Sequence, residues 1–80
     1  MPKQVFLYST DGCHLCNDAL TLCQSVGLSP TIVDIVEDDN LVHLYGTYIP
    51  VLLVEREEQG LFWPFDAEQI KQYLKFYGIS

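Results

Sequence analysis

The sequence predicts an α/β domain: a four-stranded mixed sheet in the order 2-1-3-4 with three helices, βαβαββα along the chain. Three observations carry that expectation. Short apolar, β-rich runs alternate with helix-period segments through the first half. Two further apolar runs flank a polar spacer ending in Gly60, the pattern of an antiparallel hairpin. A capped amphipathic segment then closes the chain. A right-handed crossover makes the first two strands parallel neighbours, and a third strand antiparallel beside the first completes the order.

Each element has its own local cause. Val5, Phe6, Leu7 and Tyr8 form a continuous apolar run, so Gln4 to Ser9 reads as a central strand covered on both faces. After the loop Thr10-Asp11-Gly12, Leu15, Ala19, Leu22, Cys23 and Val26 recur at helical spacing, and Gly27 offers a left-handed stop; the first helix is expected over Cys13 to Val26. Thr31 to Val36 is β-branched and too short for a typical helix, hence strand two. Glu37-Asp38-Asp39 supplies cap and first-turn acids for a brief helix carrying Leu41, Leu44 and Tyr45, closed by Gly46. Pro50 precedes strand three, Val51 to Val54, where a missing N–H does least harm. Leu61, Phe62 and Trp63 form strand four, which Pro64 ends. Asp66 with Gln69 makes a capping-box pattern, Phe65 faces Ile70 as a staple, and Ile70, Tyr73, Leu74 and Tyr77 give the buried stripe of the last helix.

Composition narrows the function. With 80 residues and 49% hydrophobic content, one domain near the lower size limit is expected. Four Lys+Arg against eleven Asp+Glu give a net charge of -7, a poor start for binding nucleic acid or anionic lipid. No apolar stretch approaches the roughly 20 residues that span a bilayer, and the chain opens without a signal pattern, so a cytoplasmic monomer is expected. Three cysteines, two of them as Cys-x-x-Cys, point to an intracellular redox or metal site and not to a secreted disulfide scaffold.

Cys13-His14-Leu15-Cys16 follows a strand and opens a helix, at the sheet edge where ligands of open α/β sheets bind. Unpaired backbone N–H groups and the helix dipole favour thiolate at the first position, so Cys13 is the expected nucleophile; Cys16, one turn on, can resolve a mixed disulfide. His14 can add a hydrogen bond or partial positive charge to the thiolate, and Asp11 opposes it. Cys23 lies about 10 Å further along the helix, too far for a disulfide with Cys16, and reads as core. His43 reads as a solvated histidine. One Cys-x-x-Cys with scattered histidines does not make a zinc site, so no metal is expected, and Asn17 after Cys16 excludes haem attachment. Trp63 and Phe65 stand where they could line a substrate groove, or belong to the core.

Strand, Cys-x-x-Cys helix, strand, helix, Ile49-Pro50 before a strand, hairpin and final helix together resemble the thioredoxin fold in its short glutaredoxin-like form. The resemblance covers essentially the whole chain. It implies a thiol-disulfide oxidoreductase with Cys13 attacking and Cys16 resolving, a cis Pro50 packed against the cysteine pair, and His14, Ile49, Pro50 and Trp63 around the substrate. It also implies two partners, a disulfide-bearing protein or small thiol and a separate reductase. Three departures stand out: Cys-His-Leu-Cys replaces the usual Cys-Pro-Tyr-Cys; Thr10-Asp11-Gly12 stands where a basic residue is usual; and Trp63-Pro64-Phe65 stands where a Gly-Gly turn admits glutathione. Lys3, Arg56, Lys71 and Lys75 lie elsewhere in the chain, so no cofactor is expected and glutathione is expected to bind poorly. The competing reading is a thioredoxin-fold binding or assembly module whose cysteines are structural or carry metal or an iron-sulfur cluster.

Overall fold

A computed structural model describes residues 4–78, so Lys3 lies outside the described residues. The elements are β1 (Val5–Ser9), α1 (His14–Ser25), β2 (Thr31–Asp34), α2 (Asp39–Tyr45), β3 (Val51–Val54), β4 (Leu61–Phe62) and α3 (Ala67–Phe76). The sheet runs β2-β1-β3-β4, with β1 and β2 parallel and the other pairs antiparallel. The chain therefore has the α/β thioredoxin fold, with the strand order that the crossover argument gives.

Strand alternation decides what is buried. Val5 and Leu7 point to one face, where they pair in register with Val54 and Leu52 of β3. That face meets Ala19 and Cys23 of α1, Ile70 and Leu74 of α3, and Phe65, in one cluster of buried side chains. Closing off a leucine or isoleucine there contributes roughly 1.5–3 kcal/mol before chain entropy is counted. An exposed capping box and a buried staple hold the start of α3 on this face: Asp66 accepts the Gln69 N–H at 2.8 Å, Gln69 accepts the Asp66 N–H at 3.0 Å, and Phe65 and Ile70 both sit in the cluster. Tyr73 ties α3 to the hairpin as well. β4 pairs only with Val51 and Leu52, and the Tyr73 hydroxyl accepts the Val54 N–H at 3.1 Å and donates to the Gln59 carbonyl at 2.7 Å.

The opposite face corrects one expectation. Phe6 and Tyr8 are only half-buried, because the cover there is α2, seven residues long with no buried side chain. Rings do the work instead: Tyr8 stacks on Tyr45 at 5.0 Å, and Tyr45 meets the edge of Phe62 at 6.5 Å. Leu44, one of the apolar residues carried by this helix, is 56% exposed, since about two turns of helix cannot aim every apolar residue at the sheet. Leu15 is also exposed, although its neighbour Cys16 in the same turn of α1 is buried.

Three boundaries move. Strand two stops at Asp34 and not at Val36, because the Asp34 carboxylate accepts the Val36 N–H at 3.1 Å and folds Ile35–Glu37 into a 3₁₀ turn. Strand four ends at Phe62, although the Trp63 N–H still donates to the Pro50 carbonyl at 3.2 Å. The first helix spans His14–Ser25, with Cys13 and Val26 as its caps.

Candidate active site

β1 ends at Ser9 and delivers Thr10, Asp11 and Gly12 to the sheet edge. Gly12 has φ +76°, a left-handed turn that costs a glycine little and a side chain much, and this turn brings Cys13 to the N-cap of α1. Cys13 has extended backbone (φ -91°, ψ 106°), and its sulfur accepts the Cys16 N–H at 3.1 Å. The two cysteines are joined as a disulfide across the first helical turn, with Cα atoms 5.2 Å apart. Cys13 is half-buried and Cys16 is 5% exposed, so a partner approaching from solvent meets Cys13 first. The first turn of α1 carries no acidic residue, and the positive end of the helix is left to act on the Cys13 sulfur.

Ile49 and Pro50 enter the same edge from the other side. Val51 is paired with Tyr8, so Pro50 lies beside the end of β1, from which the cysteine loop departs. Pro50 is fully buried, Ile49 is half-buried, and the peptide bond between them is cis. The Trp63–Pro64 bond is cis too, a feature the sequence reading had no signal for. Trp63 reaches the edge through its N–H bond to Pro50, but its ring is half-buried, packed against the core cluster and edge-on to Phe65 at 5.1 Å. The exposed rings near Pro50 are Tyr48 and Phe62, stacked at 5.3 Å and 54% and 46% exposed. His14 is exposed at the first helical position.

Cys23 is a free thiol with no exposure, and burial pushes it from 9.0 up to about 11. Burial, and then the neighbouring Tyr45, raise the Tyr8 hydroxyl. His43 is exposed on α2. Among the described residues no group of three His, Cys, Asp or Glu side chains is placed to hold a metal ion, and no helix is long and apolar enough to cross a membrane. Asp11, Glu37, Asp38 and Asp39 are all exposed, and Asp38 caps α2 through the Asn40 N–H at 2.8 Å. Arg56 sits in the hairpin turn, and Lys71 and Lys75 lie on α3.

Two open clefts flank this frame. The larger, about 370 Å³, lies between the hairpin turn and α3, away from the cysteines, and the Tyr73 hydroxyl on its wall donates to the Gln59 carbonyl. The smaller, about 270 Å³, is lined by Ser9, Thr10, Asp11, Ile32 and Asp34, next to the cysteine loop. Sequence reasoning did not single out Ser9, Ile32 or Asp34. The available signal was the strand period: Ser9 follows Val5 and Leu7 on the inward face, an odd place for a hydroxyl.

A family model described as the glutaredoxin-like domain (DUF836) matches residues 4–75. The X-ray structure of the protein XcR50 from X. campestris is similar at 33% identity and a TM-score of 0.79, over 90% of this chain and 96% of that one. The solution structure of XcR50 is similar at 31% identity and a TM-score of 0.83, over 96% and 99% of the two chains. Protein Ne2328 from Nitrosomonas europaea follows at 26% identity, a TM-score of 0.71, and 91% and 92% coverage. None of the curated proteins matches this chain.

Proposed function

The chain belongs to the glutaredoxin-like domain family, and on that premise we propose that it is a thiol-disulfide oxidoreductase acting through Cys13 and Cys16. The observation that carries the reading is the Cys13 sulfur at the N-cap of α1, accepting the Cys16 N–H, with Cys16 one turn on and buried. In the reduced protein the Cys13 thiolate attacks one sulfur of a partner disulfide. A Cys13–partner disulfide forms and the partner's other sulfur leaves as a thiolate. The Cys16 thiolate then attacks the Cys13 sulfur and expels the partner's first sulfur. The partner has gained two electrons, the Cys13–Cys16 disulfide has formed, and an external thiol reductant must return the electron pair before the next cycle.

The surroundings support the assignment of roles. Cys13 is the more accessible sulfur, and the uncompensated helix terminus favours its negative charge both before attack and as a leaving group. Tyr48 and Phe62, stacked and exposed near Ile49-Pro50, offer an apolar contact to a partner chain. Trp63, seated partly in the core, holds the Pro50 carbonyl and so positions the loop. A dithiol with this role works in a reducing compartment, and the proposal includes a cytoplasmic location. Glutathione has no cationic side chain to meet its carboxylates at Thr10-Asp11-Gly12, and we place the substrate among polypeptide disulfides.

The test is stoichiometric. Reduced protein mixed with a disulfide-bonded peptide should release two peptide thiols for each Cys13–Cys16 disulfide formed, and Cys16→Ser should accumulate the mixed disulfide on Cys13. No thiol release from any peptide disulfide, with both cysteines shown to be reduced, would overturn the reading.

A further inference from the structure

The smaller cleft beside the cysteine loop contains a polar residue that the fold does not use. Ser9 is 8% exposed, the one buried polar side chain of the described residues, and its hydroxyl enters none of their hydrogen bonds. No fully enclosed side-chain oxygen or nitrogen among the described residues lacks a partner, so the Ser9 oxygen must reach the cleft surface. With no partner in the fold, that hydroxyl is free to hydrogen-bond a group that enters the cleft.

The rest of the lining sets the chemistry of that partner. Ser9 and Asp34 are neighbours across the parallel pair, and Ile32, two residues before Asp34, shares their face. Asp34 uses one carboxylate oxygen to accept the Val36 N–H and keeps the other. Thr10 adds a second hydroxyl and Asp11 a second carboxylate. All four polar side chains can accept hydrogen bonds, two bear negative charge, and none bears positive charge. Ile32, 49% exposed, gives the cleft an apolar wall. Acceptors at the end and an apolar wall along the side match a side chain with an aliphatic stem and a cationic head, which is lysine or arginine.

Its position ties the cleft to the cysteines. Asp11 is two residues from Cys13, so their Cα atoms are at most about 7 Å apart. A polypeptide whose disulfide lies on Cys13 can therefore reach the cleft with a residue only a few positions from its own cysteine. We propose that this cleft is a recognition site for a lysine or arginine side chain of the disulfide partner, seated against Ser9, Thr10, Asp11, Ile32 and Asp34. The inference deepens the oxidoreductase reading and rests on it for the identity of the partner, but the cleft's affinity for a basic side chain is measurable without any thiol chemistry.

The experiment has two arms. In the first, the oxidised protein is titrated with acetyl-Gly-Arg-Gly-amide and with its citrulline counterpart, and the backbone amides are followed by NMR. The expected result is a saturable shift of the Ser9, Thr10, Asp11, Ile32 and Asp34 amides, at least about fivefold tighter for arginine, as charge pairing at a partly open site provides. Asp11→Asn with Asp34→Asn should erase the preference; the asparagine oxygen at position 34 can still accept the Val36 N–H, so the 3₁₀ turn survives. Equal binding of the two peptides, shifts confined to other residues, or displacement of the arginine peptide by millimolar calcium chloride would overturn the assignment. In the second arm, disulfide peptides carrying arginine or citrulline three residues from the cysteine are reduced by the wild type and by the double variant. The arginine peptide should react about fivefold faster with the wild type and equally fast with the variant, and taking the ratio cancels any effect of Asp11 on Cys13. Reduction of both peptides at the same rate by the wild type contradicts the cleft assignment. Reduction of neither, with arginine binding intact in the first arm, contradicts the oxidoreductase reading alone.

Discussion

The two helices that pack on the same face of the sheet, α1 and α3, begin in opposite ways. α3 starts with Asp66 and Gln69 exchanging hydrogen bonds at 2.8 and 3.0 Å, with Glu68 in its first turn to meet the positive end of the helix. α1 starts with a cysteine as its cap, a sulfur accepting the Cys16 N–H at 3.1 Å and no acid in the first turn. Oxygen is the better acceptor and a first-turn carboxylate stabilises a helix, so α3 has the termination that stability favours. At α1 those same unpaired N–H groups and that same dipole remain to act on Cys13. The contrast teaches that the cysteine end of the molecule gives up local stability and retains an electrostatic field for a sulfur anion.

The largest expected effect lies at that cap. Cys13→Ser should lower the rate of peptide disulfide reduction by on the order of a thousandfold or more, since a serine hydroxyl at neutral pH does not replace the thiolate, while Asp66→Ala should leave the rate unchanged. A comparable fall in both variants would erase the distinction between the two helix starts.

The next effect compares the two ends of α1 itself. Cys23, two residues before the last residue of the same helix, is fully buried, and burial raises its thiol from 9.0 up to about 11. A thiol raised in the folded state favours the protonated form, so this stability is fully present below the unfolded value and is lost as pH rises through the folded one. Unfolding measured from pH 8 to 11 should show a loss of up to about 2 to 3 kcal/mol that Cys23→Ala removes. Tyr73, also raised chiefly by burial, contributes a slope of the same sign that the variant keeps. An unchanged slope in Cys23→Ala would mean the thiol is not buried as described.

Smaller still are the caps as stability elements. Asp66→Ala should cost about 1 kcal/mol in denaturant unfolding, with the far end of α3 unaffected. Cys13→Ser, measured against the fully reduced wild type so that no disulfide contributes, should gain about 0.5 kcal/mol, because serine is a preferred cap. A loss of stability in that variant would contradict the view that α1 trades cap quality for reactivity.

Both helix starts were legible in the sequence, for different reasons. The Asp66 and Gln69 spacing specifies a local bond pair, and Cys13 to Cys16 after a β-rich run specifies a strand-to-helix corner, so neither needs tertiary knowledge. The sheet order was legible too, because handedness and the hairpin leave few alternatives. What escaped depends on partners distant in sequence or on competition within a few residues. The early end of β2 comes from Asp34 capturing the Val36 N–H, and a β-branched run does not announce that. The exposure of Leu44 follows from how little surface α2 can cover, which periodicity does not report. The cleft at Ser9 exists only once Asp34, 25 positions on, is set beside it by the parallel register. For Trp63 the sequence left groove and core both open, and its half-buried ring lies against Phe65 and the cluster.

The most direct test of the central claim is the alkylation rate of each cysteine in the native reduced protein as a function of pH. The account predicts that Cys13 reacts fastest near neutral pH, with a midpoint below the ordinary thiol range near 8.5, while buried Cys16 lags and Cys23 is labelled only as the protein opens. Labelling of Cys16 before Cys13, or a Cys13 midpoint at or above the ordinary thiol range, would contradict it.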